Sequence, residues 1–91
     1  MSVSSHVFTI VNDKGLHARA SARFVEVVES FGSEVTVEKD GLEASGNSIM
    51  GLLMLAASKG TTIKVTLTGK DSEELTSALD NLIKSKFGED S

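Results

Sequence analysis

A histidine and an arginine two positions apart, in the run Gly15-Leu16-His17-Ala18-Arg19, carry the chemistry of this sequence. The run ends an alternating apolar stretch (Phe8, Ile10) and opens one with helical spacing (Phe24, Val25, Val28). A histidine at such a junction sits where the first helical N–H groups lack intrahelical partners. Those groups and the helix dipole favour a bound anion. An imidazole titrates near neutrality, so an unprotonated ring nitrogen is available as a nucleophile. Arg19 adds a permanent positive charge with a fork of donors. Ala18 offers a backbone N–H and a side chain small enough to let a partner approach. Together they could seat a phosphoryl group on His17, with Arg19 offsetting charge on the transferring oxygens. The plain alternative is a surface histidine in a turn followed by a solvated arginine.

The elements that must position this run are legible from periodicity. His6–Val11 alternates as a half-buried strand, and Asn12-Asp13-Lys14-Gly15 breaks it. A helix is expected from Ala18 to Ser30, with Ser21, Phe24, Val25 and Val28 on one face and Phe31-Gly32 ending it. Glu34–Lys39 reads as a second strand, Asp40-Gly41 as a hairpin turn, and Leu42–Ala44 as a short third strand. A short second helix is expected at Ser48–Leu55. Thr61–Thr68 alternates cleanly as the fourth strand. Asp71-Ser72-Glu73-Glu74 resembles a capping box before a third helix with Leu75, Ala78, Leu79, Leu82 and Ile83 on its core face. Lys84 and Lys86 lie near the end of that helix, and Glu89-Asp90-Ser91 is expected to be a frayed tail. The order βαββαβα, with polar outer faces on the strands, indicates an α+β fold with an antiparallel sheet covered on one side. A ferredoxin-like βαββαβ domain gives almost the same string, and periodicity does not separate the two.

The second helix holds more apolar surface than a short exposed helix needs. Ile49, Leu52 and Leu55 can face the sheet, which leaves Met50, Leu53 and Met54 on another side. Such a patch beside a reactive group suggests docking, and methionine adapts to differently shaped partners. Burial under loops is the alternative. Asn47 or Ser48 is placed to cap this helix.

Composition narrows the class. Ninety-one residues suit one domain spanning 1–91. The net charge of −4, with scattered Lys and Arg, argues against a nucleic-acid partner. Cysteine is absent, which excludes thiol chemistry, and two unlinked histidines (His6, His17) make no zinc site. No secretory signal is recognisable, and the longest apolar run, Leu52–Ala57, is too short to cross a bilayer, so a cytoplasmic setting without membrane contact is expected. Gly41, Gly51 and Gly69 form no phosphate loop, so no nucleotide cofactor is expected. Phosphate must arrive from another protein.

Gly15-Leu16-His17-Ala18-Arg19 and Ser48-Ile49-Met50-Gly51 resemble the two signatures of the HPr family, the histidine-containing phosphocarriers of the bacterial phosphotransferase system. The Lys59-Gly60 turn before the last strand also matches, and the resemblance covers nearly the whole chain in order. One departure stands out: Ala20 occupies the position where most members carry proline. The resemblance implies an open-faced β-sandwich, four antiparallel strands with three helices on one face. It implies phosphorylation of His17 at Nδ1 by a phosphorylated enzyme I-type protein, fed ultimately by phosphoenolpyruvate, and onward transfer to an enzyme IIA-type protein. Such a protein is a monomeric covalent relay rather than an enzyme, and it needs no metal or cofactor. The wording Leu16–Ala22 resembles the nitrogen-regulatory proteobacterial branch, with the sugar-transport branch as the alternative. In many relatives a serine at the position of Ser48 is phosphorylated by an HPr kinase, so Ser48 is either a regulatory site or a cap alone. The rival from another class is a ferredoxin-like regulatory ligand-binding module.

Overall fold

Strict alternation in the strands sets the sheet. In the computed structural model, which describes residues 3–91, β1 (Val3–Thr9), β2 (Glu34–Lys39), β3 (Leu42–Ser45) and β4 (Thr62–Thr68) form one antiparallel sheet. The strand order is β1-β4-β2-β3. Phe8 pairs with Ile63, Val35 with Leu67, and Val37 with Val65. These six side chains are buried on one face. On the other face a row of hydroxyls, Ser5, Thr66, Thr36 and Ser45, runs in register across all four strands. Asp40 and Gly41 both take positive φ, as the tight β2–β3 hairpin requires.

Three helices cover the apolar face: α1 (Ala18–Glu29), α2 (Ile49–Met54) and α3 (Ser72–Lys84). Phe24 of α1, Leu52 of α2, and Leu75 and Leu79 of α3 are fully buried in the shared core. The architecture is the expected open-faced sandwich. Its topology also differs from a ferredoxin-like sheet. Here the second and fourth strands are inside and the first and third are edges, whereas a ferredoxin-like sheet has the reverse.

Four local expectations need correction. The first strand begins at Val3 and ends at Thr9; Ile10, just past it, is buried and tied to the loop before β4 through Thr61 and Gly60. Ile49 does not face the sheet: it is 40% exposed, and Leu52 and Leu55 alone carry that side of α2. Asp71 stands at the start of α3 but makes no cap bond to it. Its carboxylate instead accepts from the Gly32 N–H at 2.6 Å and from the Ser33 hydroxyl, joining the α1–β2 loop to α3. Those bonds, the Gly32 N–H first, hold the Asp71 carboxyl below its usual range.

The fourth correction concerns the C-terminal residues, which are not frayed. After α3 the chain makes a 3₁₀ turn, Lys86–Gly88, in which three successive residues take positive φ (60°, 57° and 79°). A left-handed conformation costs a non-glycine residue about 1–2 kcal/mol. Lys86 and Phe87 both incur that cost, and burial of the Phe87 ring, which is fully buried and contributes about 1.5–3 kcal/mol, offsets much of it. This reversal carries Glu89 back to the loop between β1 and α1, where it bonds Asn12 and His17.

Candidate functional site

Asn12 organises the loop that presents His17. It is fully buried, and its Nδ2 donates to the Gly15 carbonyl at 2.8 Å and to Glu89 Oε1 at 3.0 Å. The Gly15 N–H returns a bond to the Asn12 carbonyl at 3.2 Å. Gly15 has φ of 65°, and a Cβ there would lie 2.9 Å from Ser58 Cα. Only glycine therefore lets this loop rest against residues 57 and 58. Leu16, buried, then donates its N–H to the Ala57 carbonyl at 2.8 Å.

His17 follows as the N-cap residue of α1, with extended backbone (φ −77°, ψ −174°) and no side-chain cap bond. The Ser21 N–H is the first to reach back, to the His17 carbonyl at 2.8 Å. Among the described residues the N–H groups of Ala18, Arg19 and Ala20 have no partner. These unpaired donors and the imidazole thus share one end of the helix, as the sequence predicts. Ala20 is fully buried beneath them.

The His17 side chain is 28% exposed, and its Nε2 meets Glu89 Oε2. Nδ1 has no partner among the described residues. The bond from Asn12, and then that from His17, hold the Glu89 carboxyl below the usual carboxylate range, against the opposing pull of burial. Lys14, Arg19 and Arg23 line an open cleft of about 340 Å³ beside the ring, together with Gly88, Glu89, Asp90 and Ser91. Arg19 forms no ion pair among the described residues, so its charge is free for a ligand. A shallower groove, lined by Leu16, Leu53, Ala56 and Ala57, flanks His17 toward α2.

Ser48 is the N-cap of α2, and its Oγ accepts from the Gly51 N–H at 3.0 Å. Met50 and Met54 are 68% and 74% exposed, Ile49 joins them, and Leu53 is half-buried in the groove shared with His17. His17, Ala18, Arg19 and Leu53 are thus gathered around one place. Met50 and Met54 lie on the same short helix as Leu53, with Ser48 as its cap, and none of the three lines the cleft or the groove beside His17. Sequence reasoning missed Asn12, Lys14, Arg23 and Glu89. Asn12 and Lys14 read only as strand-breaking residues, and nothing in a polar tail signals a return to the site. Among the described residues no three His, Cys, Asp or Glu side chains cluster to hold a metal, and no helix is long and apolar enough to cross a membrane. The site can hold a small dianion against helical N–H groups and a guanidinium, beside an imidazole nitrogen free to bond it.

Comparison with known proteins bears on this arrangement. Residues 4–85 match the family described as PTS-HPr, "PTS HPr component phosphorylation site". The chain is 50% identical to phosphocarrier protein HPr of Neisseria meningitidis over 80 residues, 88% of this chain and 90% of that protein. It is 42% identical to phosphocarrier protein NPr of Escherichia coli over 82 residues, 89% of this chain and 91% of that protein. Its structure is similar to the crystal structure of HPr-C-His from Thermoanaerobacter tengcongensis, with a TM-score of 0.91, 42% identity, and coverage of 97% of this chain and 99% of that one.

Proposed function

This chain belongs to the HPr family of phosphotransferase-system phosphocarriers, and from that premise we propose that His17 carries the phosphoryl group on Nδ1. The group arrives from the phosphorylated histidine of an enzyme I-type protein, charged in turn by phosphoenolpyruvate, and leaves to a histidine of an enzyme IIA-type protein. In the accepting step the Nδ1 lone pair forms the new N–P bond. The donor's N–P bond breaks, and its electron pair returns to the donor nitrogen. Arg19 and the N–H groups of Ala18, Arg19 and Ala20 meet the three phosphoryl oxygens and cost no reorganisation when the charge arrives. The observation that carries this reading is the pairing of His17 Nε2 with Glu89 while Nδ1 has no partner among the described residues, on the N-cap residue of a helix whose first N–H groups are also unpaired.

Likeness to phosphocarrier protein NPr, together with the wording of residues 16–22, supports an enzyme IIA of the nitrogen-regulatory branch as acceptor. The 50% identity to an HPr supports the sugar-transport branch as the second reading. Met50, Leu53 and Met54 form the docking patch for both partners, on a protein that works as a monomer in the cytoplasm. Ser48 is the site of a negative regulatory phosphorylation by an HPr kinase.

The test is labelling from phosphoenolpyruvate with Mg²⁺ and enzyme I. An acid-labile, base-stable phosphate on the wild type, absent from a folded His17→Ala protein, is the expected result. Full labelling of folded His17→Ala sinks the assignment. Chase into enzyme IIA proteins of the two branches separates them by rate.

A further inference from the structure

We propose that Glu89 is a positioning residue for His17: its carboxylate holds the proton on Nε2 and so leaves the Nδ1 lone pair available for phosphorus. This rests on the reading of His17 as phosphoryl acceptor. An ionised carboxylate has acceptors only, so the ring nitrogen that meets Glu89 Oε2 must bring the hydrogen. A neutral imidazole carries one proton. Committing it to Nε2 leaves Nδ1 as the nucleophile.

The carboxylate is not a chance visitor from a loose tail. Its second oxygen is held at 3.0 Å by Asn12 Nδ2, and Asn12 is itself fully buried and tied to the Gly15 carbonyl at 2.8 Å. The chain reaches that point through three successive left-handed residues and the buried Phe87 ring. Strained backbone that persists next to a reactive group is a common mark of a functional constraint. Gly88 in this turn lies close to Arg23: a Cβ there would come 3.2 Å from Arg23 Nη1.

Charge bookkeeping within the step is consistent with this role. As the N–P bond forms at Nδ1, positive charge develops on the ring, and the Nε2 proton remains shared with Glu89. No proton has to leave in either direction of transfer. The carboxylate stabilises the developing imidazolium from the far side of the ring. The adjoining cleft is lined by the cations Lys14, Arg19 and Arg23 as well as by Asp90, so three positive side chains there face two carboxylates and offset the repulsion toward the incoming phosphoryl oxygens.

The experiment is ¹⁵N NMR of histidine-labelled protein, with His6 as internal reference, combined with phosphoryl acceptance at saturating donor. At mildly alkaline pH the wild-type His17 signals should show the Nε2–H tautomer. Glu89→Ala should give a tautomer mixture and accept phosphate about tenfold more slowly, the loss expected for one charge-assisted hydrogen bond. Glu89→Gln keeps one acceptor oxygen for two donors, Asn12 Nδ2 and Nε2–H, so it should hold the Nε2–H tautomer less completely than wild type and accept phosphate at a rate between those of wild type and Glu89→Ala. A Glu89→Ala protein with the wild-type tautomer and wild-type rate overturns the proposal. A tautomer that changes while even the wild type accepts no phosphate would overturn the acceptor reading instead, and leave the Glu89–Nε2 assignment standing.

Discussion

Arg19 is an exposed guanidinium with no ion-pair partner among the described residues, on the helix end where three N–H groups are also unpaired. Such a group contributes most where charge moves, and docking depends on it less. Arg19→Ala should therefore slow phosphoryl transfer by about tenfold or more while changing partner affinity little. Rates at saturating partner, set beside a calorimetric titration, check this; equal rates contradict the role. His17, Ala18 and Arg19 were legible in the sequence because their chemistry lies within three adjacent residue types. Asn12 and Glu89 were not, because the bond between them joins residues 77 apart and no local pattern reports it. Gly15 lay between these cases. Its type announced a turn, but the close approach to Ser58 that requires a glycine is a tertiary fact.

The second helix shows why short elements are harder to read. With six residues it makes fewer than two turns, so more than one apolar stripe fits its sequence. Leu52 and Leu55 took the core, and Ile49 went to the surface with Met50 and Met54, enlarging the apolar patch beyond the three residues expected. Met50→Asp places a carboxylate in that patch, and its burial without a partner on docking should weaken enzyme I binding by about 2 kcal/mol. Unchanged affinity in a calorimetric titration would place the contact elsewhere. At the other end of α2, phosphate on Ser48 keeps acceptor oxygens near the Gly51 N–H and sits at the favourable end of the helix dipole, so folding stability should hold or rise. The same charge beside Met50 must be desolvated when a partner docks, so binding should fall. Thermal melts and titrations on one phosphorylated sample test both halves, and undiminished binding leaves Ser48 a cap alone. By contrast α1, β2 and β4 span three or more periods of their own pattern and matched it to within a residue or so; β1, as long as β4, did not, because its apolar alternation runs on through Ile10 past the last paired residue, Thr9.

At the scale of the whole molecule, alternation told which residues of each strand face inward but not which strands are neighbours. Several orders bury the same residues, and the observed one, β1-β4-β2-β3, follows from pairings that sequence periodicity does not encode. Asp71 illustrates the same limit. The local pattern matched a cap, but the carboxylate is spent on Gly32 and Ser33, 39 and 38 residues away. That tie makes stability depend on pH. The folded-state value of Asp71 is lowered, so its contribution is fully present above the unfolded carboxylate value of about 3.9 and is lost as pH falls through the folded value. Asp71→Asn should be less stable than wild type at neutral pH and should lose less on acidification; denaturant melts between about pH 7 and about pH 3 measure it. Parallel curves for the two proteins would exclude the tie as a stabilising link. A last consequence follows from how the site is assembled. The His17 loop rests on Ala57 and Ser58 and is closed by Glu89, so its parts come from the beginning, middle and end of the chain. Contacts between such distant segments form only after the largest loops of the chain have closed, late and at an entropic cost. Competence to accept phosphate should therefore appear only with the complete fold, and in a refolding experiment its recovery should follow the global folding signal and not precede it.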